Sequence, residues 1–221
     1  TSALDIELSE KVAKLLAADI AATGSASLVV SGGRTPMGFF HLLSQCSLDW
    51  SNVSITLADE RWVNADHADS NEKLVRENLL INEAHRATFI SLKNSAEDAL
   101  AGESETEQAL ASVGAFTVLI LGMGDDGHTA SLFPGADALP LGLDMSSGRT
   151  CIAVTPTVAP HQRISMTLPR LLNSQQIIIH ISGAGKQQVL EEAQAGNDVE
   201  ALPIRAILNQ QQAPLEIYWA K

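Results

Sequence analysis

The sequence predicts an α/β protein: one domain over residues 1–221, with a mostly parallel sheet covered by helices on both faces. Three observations carry this expectation. Strand-like apolar runs alternate with helix-period segments along the whole chain. Runs such as SLVV and FTVLIL are continuously apolar, as strands buried on both faces are. No internal repeat, low-complexity linker or composition break divides the 221 residues, a length that suits one large domain.

Each element has a local reason. Leu8, Val12, Leu15 and Leu16 recur at helical spacing, so the first segment reads as an amphipathic helix. SASLVVSGG reads as a buried strand that ends in glycines. Thr35 before Pro36 is an N-cap and first-turn pair for a helix over PMGFFHLLSQ. VSITLADERWV reads as the next strand, and Asp69 with Ser70 opens a helix over NEKLVRENLL. Residues 94–113, rich in Ala and Glu, read as a solvated helix. FTVLILGMG and TCIAVTP read as strands, and RISMTLPRLLNS as a short strand followed by a helix. QQIIIHISG is the last strongly β-branched run. GKQQVLEEAQAG and LPIRAILNQ read as helices, and PLEIYWA as a terminal strand.

Composition narrows the partners. Lys plus Arg number 14 against 26 Asp plus Glu, a formal charge of −12 that repels nucleic acid and anionic lipid. An anionic substrate therefore needs local positive charge in its site. The two cysteines, Cys46 and Cys151, form no pattern, which fits a reducing, cytoplasmic setting. No CxxC or Cys/His cluster suggests a metal. A basic segment followed by an apolar one is missing at the start, so no secretory signal is expected. No apolar stretch reaches membrane-spanning length.

In open α/β sheets the ligand sits outside the carboxyl ends of the strands. Those ends are SGGRTP, ADERWV, GMGDDGH and SGAGK, and they are expected to converge. In SGGRTP, Gly32 and Gly33 allow close backbone approach, the helix start suits phosphate, and Arg34 adds a cation. A plain βα turn explains that stretch as well when it is taken alone. In ADERWV, Arg61 suits a phosphate and Asp59 a sugar hydroxyl, against the simpler reading of a local ion pair. Lys186 in SGAGK stands in the first turn of a helix, where a cation opposes the helix dipole unless an anion is near. Arg163 in HQRIS is a further candidate anion contact.

LGMGDDGHTAS contains the glycine spacing of the dinucleotide fingerprint at Gly122, Gly124 and Gly127. Asp125 and Asp126 would repel a pyrophosphate there, and no acidic residue closes the next strand to hold a ribose. A catalytic reading fits better. His128 is expected to begin a helix over TASLF, whose N-terminus keeps an imidazole neutral, as a general base requires. Asp126 is placed to fix the ring or a water.

Taken in order, SGGRTP, ADERWV, GMGDDGHTASLFPG, RISMTL and SGAGK resemble the 6-phosphogluconolactonase family, over residues 31–186. The resemblance implies a Rossmann-like α/β domain and hydrolysis of 6-phospho-D-glucono-1,5-lactone to 6-phosphogluconate without a metal or organic cofactor. It implies a histidine and aspartate at His128 and Asp126, and a phosphate loop at Gly32, Gly33, Arg34 and Thr35. Further family positions fall on Arg61, Arg163 and Lys186. Many relatives carry a proline pair before the R-I-[ST] arginine, where this chain has Pro160, His161 and Gln162. The expected partner is a phosphorylated sugar lactone, and the expected state a monomer or weak homodimer.

Two alternatives share part of this pattern. Glucosamine-6-phosphate deaminase shows a similar D-G-H turn followed by a ring-opening glutamate five residues on, where this chain has Phe133. It also tends to have D-E-Y in place of Asp59, Glu60 and Arg61. A sugar-phosphate-sensing domain on the same fold usually adds a helix-turn-helix segment, for which this acidic chain is expected to have no room.

Overall fold

The computed structural model describes residues 2–221. Its larger sheet has six strands in the order β4-β2-β1-β5-β8-β9, every neighbouring pair parallel. They are β1 (Ala26–Val30), β2 (Val53–Leu57), β4 (Thr88–Phe89), β5 (Phe116–Leu121), β8 (Ser174–Ser182) and β9 (Leu215–Ala220). All residues of β1 and β5 are buried, so both faces of the sheet's centre are covered. From β1 the chain first builds outward to β2 and β4, then returns to place β5 on the other side of β1. This reversal is a topological switch point, where the loops after adjacent strands separate and leave a crevice. SGGRTP follows β1 and GMGDDGH follows β5, so the two glycine loops flank it.

A second sheet, antiparallel, has the order β3-β7-β6, from β3 (Asp59–Arg61), β7 (Arg163–Met166) and β6 (Cys151–Val154). The sequence expectation of one continuous strand over VSITLADERWV is corrected by this sheet. At Ala58 the chain changes sheets: its N–H donates to Val30 of β1 at 2.9 Å, while its carbonyl accepts from Met166 of β7 at 2.9 Å. The next residues explain the switch. Asp59 and Glu60 are buried carboxyl groups that a mostly apolar parallel sheet could not satisfy. In the new position Glu60 accepts from the N–H groups of Arg61, Asn71 and Glu72 and from the Ser70 hydroxyl.

The helices are α1 (Ser2–Thr23), α2 (Met37–Ser44), α3 (Asn71–Asn78), α4 (Ala99–Leu110), α5 (Leu139–Leu143), α6 (Leu168–Leu172), α7 (Ala184–Gln194) and α8 (Ile204–Leu208). Helix α1 packs on α2 and reaches β1, β5 and β9, while α4 packs on the small sheet. Ser70 caps α3 as expected, accepting from the Lys73 N–H at 3.1 Å. Thr35 does not cap α2; Pro36 holds the cap position, and the Thr35 hydroxyl meets that of Ser182 at 3.1 Å. The helix expected over 94–113 begins only at Ala99, where Asp98 caps it, because the Asn94 side chain organises the preceding loop. One continuous apolar cluster runs beneath both sheets, from Leu8 and Trp50 to Ile164 and Ile207. Among the described residues no helix is long and apolar enough to cross a membrane. Cys46 and Cys151 are both free, and burial pushes the Cys151 thiol up to about 12, so it stays protonated and inert.

Candidate active site

The loops after β1, β5 and β8, together with strand β3 just past β2, converge on one cleft of about 390 Å³ at the switch point. Gly32, Gly33, Arg34, Thr35, Asp59, Arg61, His128 and Lys186 all line it. Asp126 stands behind His128, and Arg163 lies outside the cleft wall.

The helix expected over TASLF is not formed. Thr129 and Leu132 make an isolated antiparallel bridge, and Ala130 adopts φ +48°. Hydroxyl chemistry accounts for this. Thr129 Oγ1 donates to the Gly122 carbonyl at 2.9 Å, and Ser131 Oγ donates to Asp59 Oδ2 at 2.5 Å. Both side chains are thus committed to other segments rather than to a helical turn. Pro134 and Gly135, with φ +73°, then end the segment. No helix dipole therefore acts on His128, and a direct contact takes its place. His128 Nδ1 lies 2.5 Å from Asp126 Oδ1, which also accepts from the His128 backbone N–H at 3.2 Å. This bond to His128 holds the Asp126 carboxyl below its ordinary range, against the opposing effect of partial burial. An ionised Asp126 is acceptor-only, so Nδ1 carries the hydrogen, and in the neutral imidazole Nε2 keeps the free lone pair.

The backbone makes room for this pair. A Cβ on Gly124 would overlap both the His128 ring and the Asp126 carboxylate. The Gly124 N–H closes the turn on the His128 carbonyl at 2.8 Å. Gly127 has φ +74°, and Leu202 fills the space its side chain would need. Behind the imidazole the Phe133 ring packs at 4.3 Å between centroids, tilted by 37°.

The cations differ in how they are held. Arg61 Nη1 donates to the Asp69 carbonyl at 2.6 Å and to Asn71 Oδ1 at 2.9 Å. Asn71 in turn donates to the Asp59 carbonyl, and its amide occupies the space a Cβ on Gly32 would fill. Lys186, in the first turn of α7, pairs with Asp125 Oδ1 at 2.8 Å. The anion that its place in the helix called for is supplied by the neighbouring loop. Arg34 is exposed at the cleft. Arg163 pairs with Arg61 across the small sheet, is 6% exposed, and donates to the Pro160 carbonyl at 3.1 Å. Its guanidinium lies 5.9 Å from the Phe133 ring centre, so it supports the His128 platform from behind. Burial lowers its pKa, and the neighbouring Arg61 charge adds to this. Asp59, 7% exposed, already holds Ser131, which leaves one carboxylate oxygen for the cleft.

The model of the family described as glucosamine-6-phosphate isomerases/6-phosphogluconolactonase matches residues 1–219. The chain belongs to this family. A protein of Pseudomonas putida named 6-phosphogluconolactonase is 46% identical over 212 residues, which is 96% of this chain and 86% of that one. A Rhizobium meliloti protein of the same name is 45% identical over 220 residues, covering 99% and 95%. The crystal structure of a 6-phosphogluconolactonase from Shewanella baltica OS155 superposes with a TM-score of 0.98 at 47% identity, covering 100% of this chain and 94% of that one. The fold seen here is therefore the α/β, Rossmann-like fold of the family.

Sequence reasoning missed several residues that line or support the cleft of this family member. Asn71 gives no local signal, since its contact with Arg61 depends on where α3 begins. Asp125 reads in the sequence only as a repulsive charge, although it partners Lys186. His180 is visible as a polar interruption of the apolar β8 run. It lies at the cleft floor, 4% exposed, with Nε2 3.8 Å from Asp5 Oδ1. Burial pulls its pKa down to about 4, so it is neutral at pH 7.

Proposed function

We propose that this chain hydrolyses 6-phospho-D-glucono-1,5-lactone to 6-phospho-D-gluconate, the lactone-opening step of the oxidative pentose phosphate pathway. The observation that carries the reading is the His128–Asp126 pair facing a cleft with cationic walls, with Phe133 behind the imidazole. The names of the full-length relatives agree with it.

In this reading the 6-phosphate rests on the backbone of Gly32 and Gly33 beside Thr35, with Arg34, Arg61 and Lys186 supplying positive charge. Against a formal charge of −12, that local concentration of cations is what admits a dianion. Asp59 offers its remaining oxygen to a sugar hydroxyl. The lactone carbonyl then lies near His128 Nε2, which removes a proton from water as the oxygen attacks C1. The tetrahedral intermediate collapses by breaking the bond from C1 to the ring oxygen, and the imidazolium returns its proton to that oxygen. Asp126 keeps the tautomer correct and stabilises the imidazolium. Arg163 acts on the reaction only through Phe133 and Arg61. The catalyst is one α/β unit over residues 1–221, a monomer or weak homodimer that needs no nucleic acid or membrane partner.

Phe133 separates this reading from ring-opening deamination, which needs a carboxylate at its position. The test is an assay with freshly generated lactone, corrected for spontaneous opening, beside a measurement of ammonia release from glucosamine 6-phosphate. Rapid lactone loss with no ammonia is expected. Ammonia release without lactone hydrolysis would replace this reading with deamination.

A further inference from the structure

Outside the cleft, two loops meet at a cluster the proposed reaction does not use. One joins β3 to α3 and carries His67 and Asp69; the other joins β6 to β7 and carries His161. One ligand atom from each of the three side chains lies within 4.8 Å of the others. His161 Nε2 is 3.0 Å from Asp69 Oδ2, and His67 Nδ1 is 3.8 Å from the same oxygen. The two imidazole rings meet edge to face at 5.3 Å.

We propose that His67, Asp69 and His161 form a site for a borderline divalent transition ion of the zinc class. The ligand chemistry selects that class: two imidazoles and one carboxylate suit zinc, whereas magnesium and calcium take mostly oxygen. Distances support it. With metal–ligand bonds of about 2.0–2.1 Å, a tetrahedral site separates its ligand atoms by about 3.3 Å. The observed 3.0 and 3.8 Å to Asp69 bracket that value, and all three ligand atoms lie within 4.8 Å of one another, so side-chain rotation in the two loops closes the set. His67 Nδ1 now accepts from the Asp69 backbone N–H at 3.0 Å, and the ion would take over that lone pair in an exposed loop where water can satisfy the amide. His161 adopts φ +67°, a conformation that L residues rarely hold, and in it the ring faces Asp69. The exposure of His67 and Asp69 leaves a fourth position open to water. The sequence shows no metal cluster because His161 is distant in the chain from the other two ligands.

The site adjoins the rim of the cleft. The Asp69 carbonyl accepts from Arg61 and the Pro160 carbonyl accepts from Arg163, so an ion here would tie together the two loops that hold both arginines.

Titration calorimetry of the full chain, stripped with EDTA and exchanged into a weakly coordinating buffer at pH 7.5, tests this with zinc chloride. One zinc per chain is expected, with affinity reduced at least tenfold in His67→Ala and in His161→Asn, the latter chosen because asparagine tolerates the left-handed backbone. Millimolar magnesium should not compete. His128→Ala, which removes the other histidine–aspartate pair, should bind zinc as the unmodified chain does. Circular dichroism and lactone hydrolysis of the metal-free His67 and His161 variants check that they are folded, and His67→Gln serves if His67→Ala is not. Absence of zinc binding up to millimolar concentration overturns the proposal. So does unchanged zinc affinity in either His67 or His161 variant, equal competition by magnesium, or loss of the site in His128→Ala.

Discussion

The two sheets furnish the cleft by different means. The parallel sheet supplies backbone: its strands end in turns whose glycines let His128 and Asp126 pack directly over Gly124, and Asn71 directly over Gly32. The antiparallel sheet supplies side chains locked by partners: Asp59 to Ser131, Glu60 to the start of α3, Arg61 to Asp69 and Asn71. Residues at the parallel edge keep a free functional end, such as His128 Nε2, while most polar atoms of the small sheet are already committed. In the proposed reading the first region reacts and the second holds.

The sharpest way to break that division is His128→Ala. Loss of a positioned general base should lower kcat by about 10²–10⁴-fold. Binding of 6-phosphogluconate, measured by calorimetry, should stay within about threefold, because the cations are untouched. A variant that keeps full turnover would move the chemistry away from the parallel edge. Gly124→Ala probes the same edge through the backbone. The added methyl must displace the His128 ring or Asp126. A kcat loss of about tenfold to a hundredfold is expected from the misplaced base, with about 1–3 kcal/mol of stability lost to overpacking in urea unfolding.

How much of each region can be read from sequence follows from the same difference. The parallel edge is written locally: an apolar run, then glycines, then a helix start, as in SLVVSGGRTP and IIIHISGAGK. Local pattern alone names its three loops, all of which line the cleft. The small sheet depends on pairing Arg61 with Arg163, which no local pattern announces. For that reason the turn at Ala58 and the contact of Asn71 with Arg61 are not legible in the sequence. The missing helix after His128 is an intermediate case. Its residues fit a helix, but Thr129 and Ser131 bond to partners that only the folded chain brings near.

His180 tests the floor between the two loops of the parallel edge. Its folded pKa, about 4, lies below the ordinary 6.5, so the folded chain binds this proton less readily than the unfolded one. Unfolding therefore takes up a proton between about pH 6.5 and 4. Stability from this group rises with pH across that window and no longer changes with pH below it. The contribution is at most about 3 kcal/mol. Urea unfolding at pH 7 and pH 4.5 should show the fall, and His180→Leu should flatten it. An unchanged slope in that variant would assign the acid sensitivity to other groups.

Among the arginines, Arg61→Ala should raise KM about tenfold. Arg163→Met, which keeps an unbranched stem against Phe133, should hold KM within about threefold and lower kcat modestly through a looser platform. Equal KM effects would mean that both guanidinium groups reach the phosphate.

The smallest effect belongs to Asp125. Its side chain is 90% exposed and its partner Lys186 only 25% exposed, so the pair is solvent-screened on one side. Exposed pairs contribute little to stability, and Asp125→Asn should leave the melting temperature nearly unchanged. Its role in the cleft is competitive. It pairs with the ammonium that a phosphate would use in the proposed reading, so binding there exchanges one anion for another and yields less than a free lysine would. Removing the carboxylate should lower KM about two- to threefold, while Lys186→Ala raises it about tenfold. If Asp125→Asn instead raises KM, the carboxylate positions the lysine rather than competing for it. The parallel edge would then hold its cations by paired side chains, as the small sheet does.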